Sequence, residues 1–508
     1  MSNNKWIYYV VFVFLFFTEI PLCFSQGEDH LATISRFKSE SPIEDLTGNR
    51  VEELFETLDE SMGTFVKMDP RGEWAIEAGR PEYPIQIMEW GRDSMISILG
   101  LVATRRLDPA RHILLKWARM EYYGQIPNVI ANRADWHTTY NTSDAPLWFV
   151  ESLYQYIKSS GDTSILSIKV AENKTVLQTL QYIFKKYSEP GIGVQGHPET
   201  GFVYVPPVST WMDTDYTRRQ GYPIEIQALM FNAANVMSEL DPGQKEQYRT
   251  VADKIEKSAN ELFWNEAEDT VYDILGTDAV QHPQFAVPDP SVRCNQILAV
   301  HFGLFKGDRA EKIVQSTLER LRLPGSLRSL AKPTHQYEKV SSPDGRTSWK
   351  VSIPHDHSQA SWPYATFHSV FPEHAPLEEW RQAYHNGTGW VWIYPFLFTS
   401  AVKIGSLSPL EALEQMTVDL LRFTKDPYTH LEGETGGSLP EVTDGEVITS
   451  TDETGKNYLY VVPKKCRKQA FSVASALWGL EIIQNEIKAA DHAPPVSLQS
   501  TQDLSAAA

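Results

Sequence analysis

Helical periodicity is the feature that most constrains the fold of this sequence. Many segments place apolar residues three and four positions apart, as the buried face of an α-helix requires. They cover residues 51–58, 94–101, 110–122, 145–157, 165–187, 224–240, 244–263, 309–321, 409–423 and 469–487. Strands that alternate regularly with helices are not indicated, which excludes a doubly wound sheet and a TIM barrel. The sequence therefore predicts an all-α protein.

The connections between these helices are unusually long. Residues 188–222, 264–293, 323–360 and 424–466 form loops rich in Gly, Pro and aromatic residues. A superhelical solenoid and a closed ring of helical hairpins both accommodate many helices, but solenoids usually show a sequence period and short connections. No such period is present here, and loops of this length are often functional. We therefore expect a ring of helical pairs with a site built from loops at one end.

The amino-terminal segment is typical of a secretory signal peptide. Lys5 precedes an unbroken apolar run over residues 6–17, which is shorter than the about 20 residues that span a bilayer. An uncleaved anchor is the alternative, and a lipoprotein signal through Cys23 is weaker because Leu22 stands where a small residue is required. We expect a secreted or periplasmic protein without a membrane span in its mature chain. The expected division is a signal peptide at 1–25, a linker at 26–48, one helical domain at 49–489 and a disordered tail at 490–508.

Charge and cysteine content limit the ligands and cofactors that the protein is expected to bind. With 46 Lys plus Arg against 65 Asp plus Glu, the formal net charge of −19 disfavours binding to nucleic acid or anionic lipid. Beyond the signal only Cys294 and Cys466 remain, and an exported location permits a disulfide that nothing in the sequence demands. His355 and His357 could hold a metal, but no third ligand is evident. We expect neither a metal nor an organic cofactor.

Five loop segments combine aromatic side chains with ionisable or amide side chains near predicted helix boundaries. They are residues 90–93 (WGRD), 140–148 (YNTSDAPLW), 209–225 with TWMD at 210–213, 384–392 (YHNGTGWVW) and 432–445. Aromatic faces together with carboxylates and arginine suit the rings and hydroxyl groups of sugars. Any one carboxylate could be a helix cap or an ion-pair partner. Five such segments together indicate a carbohydrate site.

Hydrolysis of a glycosidic bond needs one protonated and one ionised carboxyl group. Asp213 follows Trp211 and Met212. Apolar cover from these two neighbours would raise the pKa of Asp213, which favours the role of the acid. The sequence therefore makes Asp213 a candidate proton donor.

The order and the residues of these segments resemble the C-terminal, amylo-α-1,6-glucosidase half of glycogen debranching enzymes. The matching stretches are WGRDS at 90–94, YN…D…W at 140–148, TWMD at 210–213, RQGYPIEIQAL at 219–229, HNGTGW at 385–390, EVTDG at 441–445 and QAFSVA at 469–474. They are collinear between about 85 and 480. The sequence departs from the family pattern at Phe471, where Trp is usual, and at Pro440, where Ser commonly precedes the Glu.

The resemblance implies an (α/α)6 toroid barrel of six helical hairpins and an inverting α-glucosidase that acts on 1,6-linked glucose. It places the general acid on Asp213 and the general base on Glu441. It also places Arg92, Asp93 and Asp144 around the terminal glucose. Further side chains of the same segments complete the substrate-binding set that we expect: Trp90, Tyr140, Trp211, Arg219, Glu225, His385 and Trp390.

The resulting hypothesis is an exo-acting glycoside hydrolase that releases glucose from α-glucans. Related barrels cleave trehalose, α-1,4 chains or glucosyl-glycerates, and a non-catalytic glycan-binding protein is the alternative of another class. Glu225 could pair with Arg219 as readily as contact sugar. An inverting mechanism requires roughly 6.5–9.5 Å between the two catalytic carboxyl groups, against about 5–5.5 Å in a retaining one. We expect the wider spacing, with Trp211 beside the acid and with Arg92 and Asp93 at the base of the pocket.

Overall fold

Helices dominate the chain, as the periodicity predicts. The computed structural model describes residues 48–80, 83–331, 337–341, 347–351, 383–424, 437–443, 445, 448–451, 457–461, 463–464 and 466–491. Within these ranges the helices are α1 Gly48–Phe65, α2 Gly91–Ala103, α3 Leu107–Arg119, α4 Ala145–Ser160, α5 Val176–Ser188, α6 Ile224–Leu240, α7 Lys245–Leu262, α8 Gln296–His301, α9 Gly307–Arg320, α10 Tyr394–Lys403, α11 Pro409–Thr424 and α12 Ala470–Asp491. None of these helices combines the length and the apolar character that crossing a bilayer requires.

Some predictions fall outside the described residues. These are the signal peptide, nearly all of the linker, the tail beyond residue 491, Glu432, Asp444 and the pair His355 and His357. Cys294 and Cys466 are described, and both are buried without being joined by a disulfide.

Six helices, which we call the inner helices, are α2, α4, α6, α8, α10 and α12. They are buried on nearly every side along their amino-terminal turns; in α2, for example, every residue except Asp93 is buried. Each packs against the next in this order, and α12 packs in turn against α2. The approach of α12 to α2 is close, because a Cβ on Gly100 would lie 2.5 Å from the Cα of Ala474. A glycine is therefore required at this crossing.

The other six, the outer helices, cover the inner set. Helices α3, α5, α7 and α9 bury only one apolar face, which is why their sequences show the clearest spacing of three and four. α1 and α11 pack against each other and against α12. The described part of the fold is thus two layers of helices around one hydrophobic core.

Two predicted helix boundaries are wrong. The segment 165–187 is not one helix: a 3₁₀ turn and a hairpin of Lys169–Ala171 with Lys174–Thr175 precede α5. Helix α5 begins with a capping box formed by Thr175 and Gln178. The helix predicted over 110–122 ends at Arg119. Helices α8 and α10 were not expected, because short segments that are apolar on all sides lack a distinctive period.

The connections between helices contain short strands, which the sequence did not indicate. They are β1 Val66–Met68, β2 Trp74–Ile76, β3 Gly79–Arg80, β4 Met88–Trp90, β5 Val129–Ala131, β6 Lys169–Ala171, β7 Lys174–Thr175, β8 Gln195–Gly196, β9 Val203–Tyr204, β10 Gly221–Pro223, β11 Trp264–Asn265, β12 Thr270–Val271, β13 Ile274–Gly276, β14 Val287–Asp289, β15 Arg322–Leu323, β16 Ser326–Arg328, β17 Tyr337–Ser341, β18 Thr347–Val351, β19 Gly389–Trp390, β20 Val442–Thr443, β21 Ile448–Thr451, β22 Asn457–Tyr460, β23 Pro463–Lys464 and β24 Lys468–Gln469. The largest sheet has the order β15-β16-β19-β20-β23, and its register pairs Trp390 with Val442. This pairing holds the loop of Glu441 beside the segment of Tyr384 and His385.

Candidate active site

The predicted site residues lie where inner helices begin. Arg92 and Asp93 occupy the first turn of α2, Asp144 immediately precedes α4, Glu225 lies in the first turn of α6, and Gln469 immediately precedes α12. Side-chain contacts join three of these helix starts, those of α2, α4 and α12, because Arg92 binds Asp144 and Gln469 binds Asp93. The amino-terminal end of a helix favours negative charge. The sequence segments therefore meet as a group of carboxylates at the same end of the inner helices.

Arg92 is held as a permanent cation in this group. Its Nε donates to Asp144 Oδ2 at 2.6 Å and its Nη2 to Asp144 Oδ1 at 3.0 Å, and Thr142 Oγ1 also donates to Asp144 Oδ1 at 2.6 Å. Burial lowers the pKa of Arg92, but Asp144, Asp213 and Asp93 together outweigh burial and the net change is upward. Arg92 Nη1 lies 3.9 Å from Asp213 Oδ2. Asp144 thus fixes the guanidinium, which reaches the candidate acid.

Asp213 itself is the more accessible of the two candidate catalytic groups. Its side chain is 38% exposed, and Oδ1 lies 3.6 Å from His385 Nε2. The neighbours expected to cover it, Trp211 and Met212, point into the core and are themselves buried. Burial lowers the pKa of His385 to about 4, against the opposing attraction of Asp213. At neutral pH the candidate acid therefore faces one fixed cation and one neutral imidazole.

Glu441, the candidate base, is buried and held by a tyrosine. The Tyr384 hydroxyl donates to Glu441 Oε1 at 2.5 Å, and the Glu441 main-chain N–H donates to the Cys466 carbonyl at 2.8 Å. Burial, followed by the charge of Glu441, raises the pKa of Tyr384 well above its usual value. The Tyr384 hydroxyl thus stays protonated and orients one oxygen of the carboxylate.

Asp93 is influenced by the charges of both candidate catalytic groups. Its Oδ1 accepts a hydrogen bond of 2.9 Å from Gln469 Nε2. Burial raises the pKa of Asp93 to about 7; Arg92 opposes the rise, and the charges of Glu441 and Asp213 add to it. Tyr384, which binds Glu441, directly precedes His385, which lies 3.6 Å from Asp213, so the candidate acid and base are close neighbours. The expected separation of the catalytic pair stays a prediction.

Two tryptophans of the site segments pack beneath the side chains of the candidate site. Trp211 and Trp390 are only 4% and 3% exposed, so neither ring forms an open platform for sugar. Trp390 stacks on His385 with ring centroids 5.0 Å apart, and Trp211 meets the same imidazole edge-on at 5.4 Å. Trp390 Nε1 also donates to the Tyr384 carbonyl at 2.9 Å. Because burying these rings is favourable, they pack inside and fix His385 and Tyr384. Trp90 differs, since it keeps partial exposure and packs edge-on against Tyr83 at 5.8 Å.

A buried ion network underlies the Asp213 loop. Arg219 donates to Glu225 Oε2 and to Asp273 Oδ2, both at 2.7 Å, and to Thr210 Oγ1 at 3.3 Å. The sequence left open whether Glu225 pairs with Arg219 or contacts sugar, and the structure shows the pair, with Glu225 fully buried. Asn295 links the network to the loop, since it donates to Asp273 Oδ1 at 2.8 Å and accepts from the Trp211 indole at 2.7 Å. Arg219 and Glu225 therefore position the loop.

Tyr140 lies apart from this group. Its hydroxyl donates to the Met120 carbonyl at 2.9 Å, and its ring borders a neighbouring groove together with Tyr122. Thr142 joins that groove to Asp144. The structure therefore places Tyr140 beside the candidate site and not at its centre.

Sequence reasoning missed four contributors. Tyr384 and Gln469 stand inside quoted segments, but nothing in their spacing signals a hydrogen bond to a carboxylate. Asp273 and Asn295 carry no motif, although an Asp inside the otherwise apolar stretch 271–275 is a weak sign of a buried partner.

Comparisons with known proteins identify the family of the chain and a likeness of fold. A family model described as amylo-alpha-1,6-glucosidase matches residues 60–477. Among solved structures, a wild-type glycosidase and a glycosidase variant in complex with glucose each show 11% identity and a TM-score of 0.50. Each alignment covers 87% of this chain and 99% of the other, and at this identity it shows a likeness of fold. A search of curated protein sequences found no match.

Proposed function

The chain belongs to the amylo-α-1,6-glucosidase family and is a glycoside hydrolase, and we propose that it releases single glucose units from α-glucans at α-1,6 linkages with inversion. The observation that supports this most is that Asp213 and Glu441, from loops far apart in the chain, lie against two consecutive residues, His385 and Tyr384 respectively. A pair of carboxyl groups around one space is the machinery that glycoside hydrolysis requires.

In the proposed reaction, Asp213 donates its proton to the glycosidic oxygen as the bond to the anomeric carbon breaks. Glu441, oriented by Tyr384, removes a proton from a water molecule that attacks the opposite face of the sugar. Each turnover consumes one water and leaves Asp213 ionised and Glu441 protonated, and exchange with solvent restores both. The Arg92 cation beside Asp213 would stabilise the aspartate that forms.

The terminal glucose would be bound by polar side chains that lie around Asp213. Asp93 and Arg92 are suited to hydroxyl groups, as an acceptor and a donor respectively. Asp144 is 1% exposed and already accepts from Arg92 and Thr142, so its role is to position Arg92. Trp90, with its partial exposure, is the tryptophan of the set that is best placed to contact a sugar face.

Kinetics on a panel of glucosides tests the proposal. Isomaltose and panose carry the 1,6 linkage, whereas maltose and trehalose represent the alternative α-glycosidases. We expect Asp213→Asn and Glu441→Gln each to abolish turnover, while Asp215→Asn, an exposed carboxylate on the same loop, retains it. Proton NMR of the first product should show β-glucose.

Several outcomes would contradict this assignment. An α-anomer as first product excludes inversion. Turnover confined to maltose or trehalose would show that the enzyme cleaves one of these linkages and not the 1,6 linkage. Binding of oligosaccharide without any turnover points to a glycan-binding protein. Full activity in Asp213→Asn or Glu441→Gln removes that residue from the chemistry.

Two broader proposals accompany the reaction. We propose that the twelve described helices form an (α/α)6 toroid, which the cyclic packing of the inner helices supports. We also propose export through the amino-terminal apolar segment, on the sequence pattern alone. Recovery of the protein from the medium or periplasm of an expressing cell, with a new amino terminus near residue 25, tests export; an intact terminus on cell-retained protein contradicts it.

A further inference from the structure

A tight turn exposes two tyrosines beyond the end of α3. Tyr122 and Gln125 exchange main-chain hydrogen bonds of 2.9 and 3.0 Å, which leaves Tyr123 and Gly124 at the centre of the turn. Both central residues have positive φ, 49° and 74°. Glycine adopts this conformation freely, but a bulky side chain does so rarely, and such residues are frequent at functional sites.

The turn is held rigidly. The Gly124 N–H donates to Glu121 Oε1 at 2.5 Å, and Lys174 Nζ donates to Glu121 Oε2 at 2.7 Å. Gly124 packs directly on α5, since a Cβ there would lie 2.4 Å from the Lys186 Cβ. The two tyrosine rings are therefore displayed from a fixed backbone, and a ligand would lose little backbone freedom of the protein on binding.

These rings form one wall of a groove of about 240 Å³, which we call the tyrosine groove. Tyr122 and Tyr123 are 61% and 77% exposed, and Tyr122 lies 4.5 Å from Tyr123 and 5.8 Å from Tyr140 between ring centroids. Ile192, 81% exposed, also lines the groove. A contiguous exposed apolar surface of this kind marks a binding site more often than chance exposure does.

The tyrosine groove adjoins the candidate active site. Thr142 lines the groove and donates to Asp144, the partner of Arg92. Ser209 also lines it, at the start of the segment that carries Asp213, and accepts a hydrogen bond of 2.6 Å from the Ser143 N–H. The groove therefore borders the two segments, 142–144 and 209–213, that carry Asp144 and Asp213.

We propose that the tyrosine groove binds the part of an α-glucan chain that extends away from the glucose being released. Flat apolar faces with hydroxyl groups at their edges match the faces and rims of glucose units in such a chain. The inference rests on the proposed function, because that function and the position of the groove beside the candidate site identify the ligand as an α-glucan.

Two measurements test the groove on the full-length protein. The first is calorimetric binding of maltoheptaose to Asp213→Asn protein, with and without the added changes Tyr122→Ala and Tyr123→Asn; Asn tolerates the positive φ and preserves the turn. The second is the ratio of kcat/KM for a long branched glucan to that for panose. Tyr182→Ala is the control, since Tyr182 is a 51% exposed tyrosine on α5 outside the groove.

We expect the double change to weaken maltoheptaose binding and to lower the ratio, each by roughly tenfold for the loss of two stacked rings. Tyr182→Ala should leave both at the wild-type value. Unchanged binding and an unchanged ratio in a folded double variant would overturn the proposal. Equal loss for cellohexaose would also overturn it, because the groove would then lack preference for an α-linked chain. A different outcome is that no glucoside is turned over while maltoheptaose binding still depends on Tyr122 and Tyr123. That result would reject the proposed reaction and support the groove as a binding site for the glucan chain.

Discussion

Replacing Asp93 by Asn should stabilise the protein while impairing catalysis. Asn has the shape of Asp, and its Oδ1 can still accept the hydrogen bond from Gln469 Nε2. The change removes a negative charge that burial and the charges of Glu441 and Asp213 disfavour, which is why the pKa of Asp93 is raised to about 7. The carboxylate is therefore held against a free-energy cost that an amide does not carry.

The size and the pH range of this cost follow from the pKa difference. The folded value of about 7 lies above the reference of 3.8, and at 1.36 kcal/mol per pKa unit the ionised group destabilises the fold by about 4 kcal/mol. Since Asp93 is the one residue of α2 that is only partly buried, water screens part of this cost, and we expect about 2–4 kcal/mol. The cost is absent below the unfolded pKa, develops between about pH 4 and pH 7, and is constant above.

Urea unfolding at pH 4, 6 and 8 measures the effect. The difference between Asp93→Asn and wild type should be near zero at pH 4 and should reach its full value by pH 8. Asp108→Asn is the control, because Asp108 lies in the first turn of α3 with a 75% exposed side chain and should gain nothing. Equal stabilities at pH 8, or a gain of the same size at pH 4, would show that the carboxylate is not disfavoured as argued. Turnover should fall, since Asp93 is proposed to bind the terminal glucose.

Three further predictions follow from the site. Tyr384→Phe removes the hydrogen bond to Glu441, so kcat should fall roughly 10- to 100-fold with little change in KM, measured on isomaltose; an unchanged kcat contradicts the orienting role. Arg219→Met leaves Glu225 buried without its cation and leaves Asp273 with Arg293 alone, so it should lower the free energy of unfolding by about 3–5 kcal/mol. The exposed neighbour Arg218→Ala should change it little, and equal effects of the two changes would refute this. Dialysis against a chelator should leave activity intact, because a carboxyl pair needs no metal, and a loss that a divalent ion restores would contradict that mechanism.

Helices were predictable where one face alone is apolar or where an apolar run is long. The sequence located α4, α6 and α7 within a few residues, since their spacing reflects burial directly. The start of α5 was missed because local chemistry decides it: Thr175 and Gln178 cap the helix, and a hairpin takes the residues before it. Short α8 required the tertiary structure, because its six residues are too few to show a period.

The sequence motifs indicated the ionisable residues of the candidate site and not the side chains that support them. Motif wording pointed to Arg92, Asp213 and Glu441, and the structure places Arg92 within 3.9 Å of Asp213. The contact between Arg219 and Asp273 spans 54 positions and depends on how β10 and β13 pair. No local pattern encodes a contact of that kind, so only the folded chain reveals it.

The aromatic residues of this chain divide by exposure into two physical roles. Trp211 and Trp390 are buried and make close ring contacts with His385. These contacts restrict the side chains that lie beside the candidate catalytic groups. Rings fixed in this way contribute geometry, because catalysis depends on reacting groups being held in place. Tyr122 and Tyr123 keep their faces in solvent on a backbone that is itself fixed. In the proposed reaction, the same residue class would fix side chains at the candidate site and offer contact area along the adjoining groove. Burial, which the sequence does not display, separates the two roles.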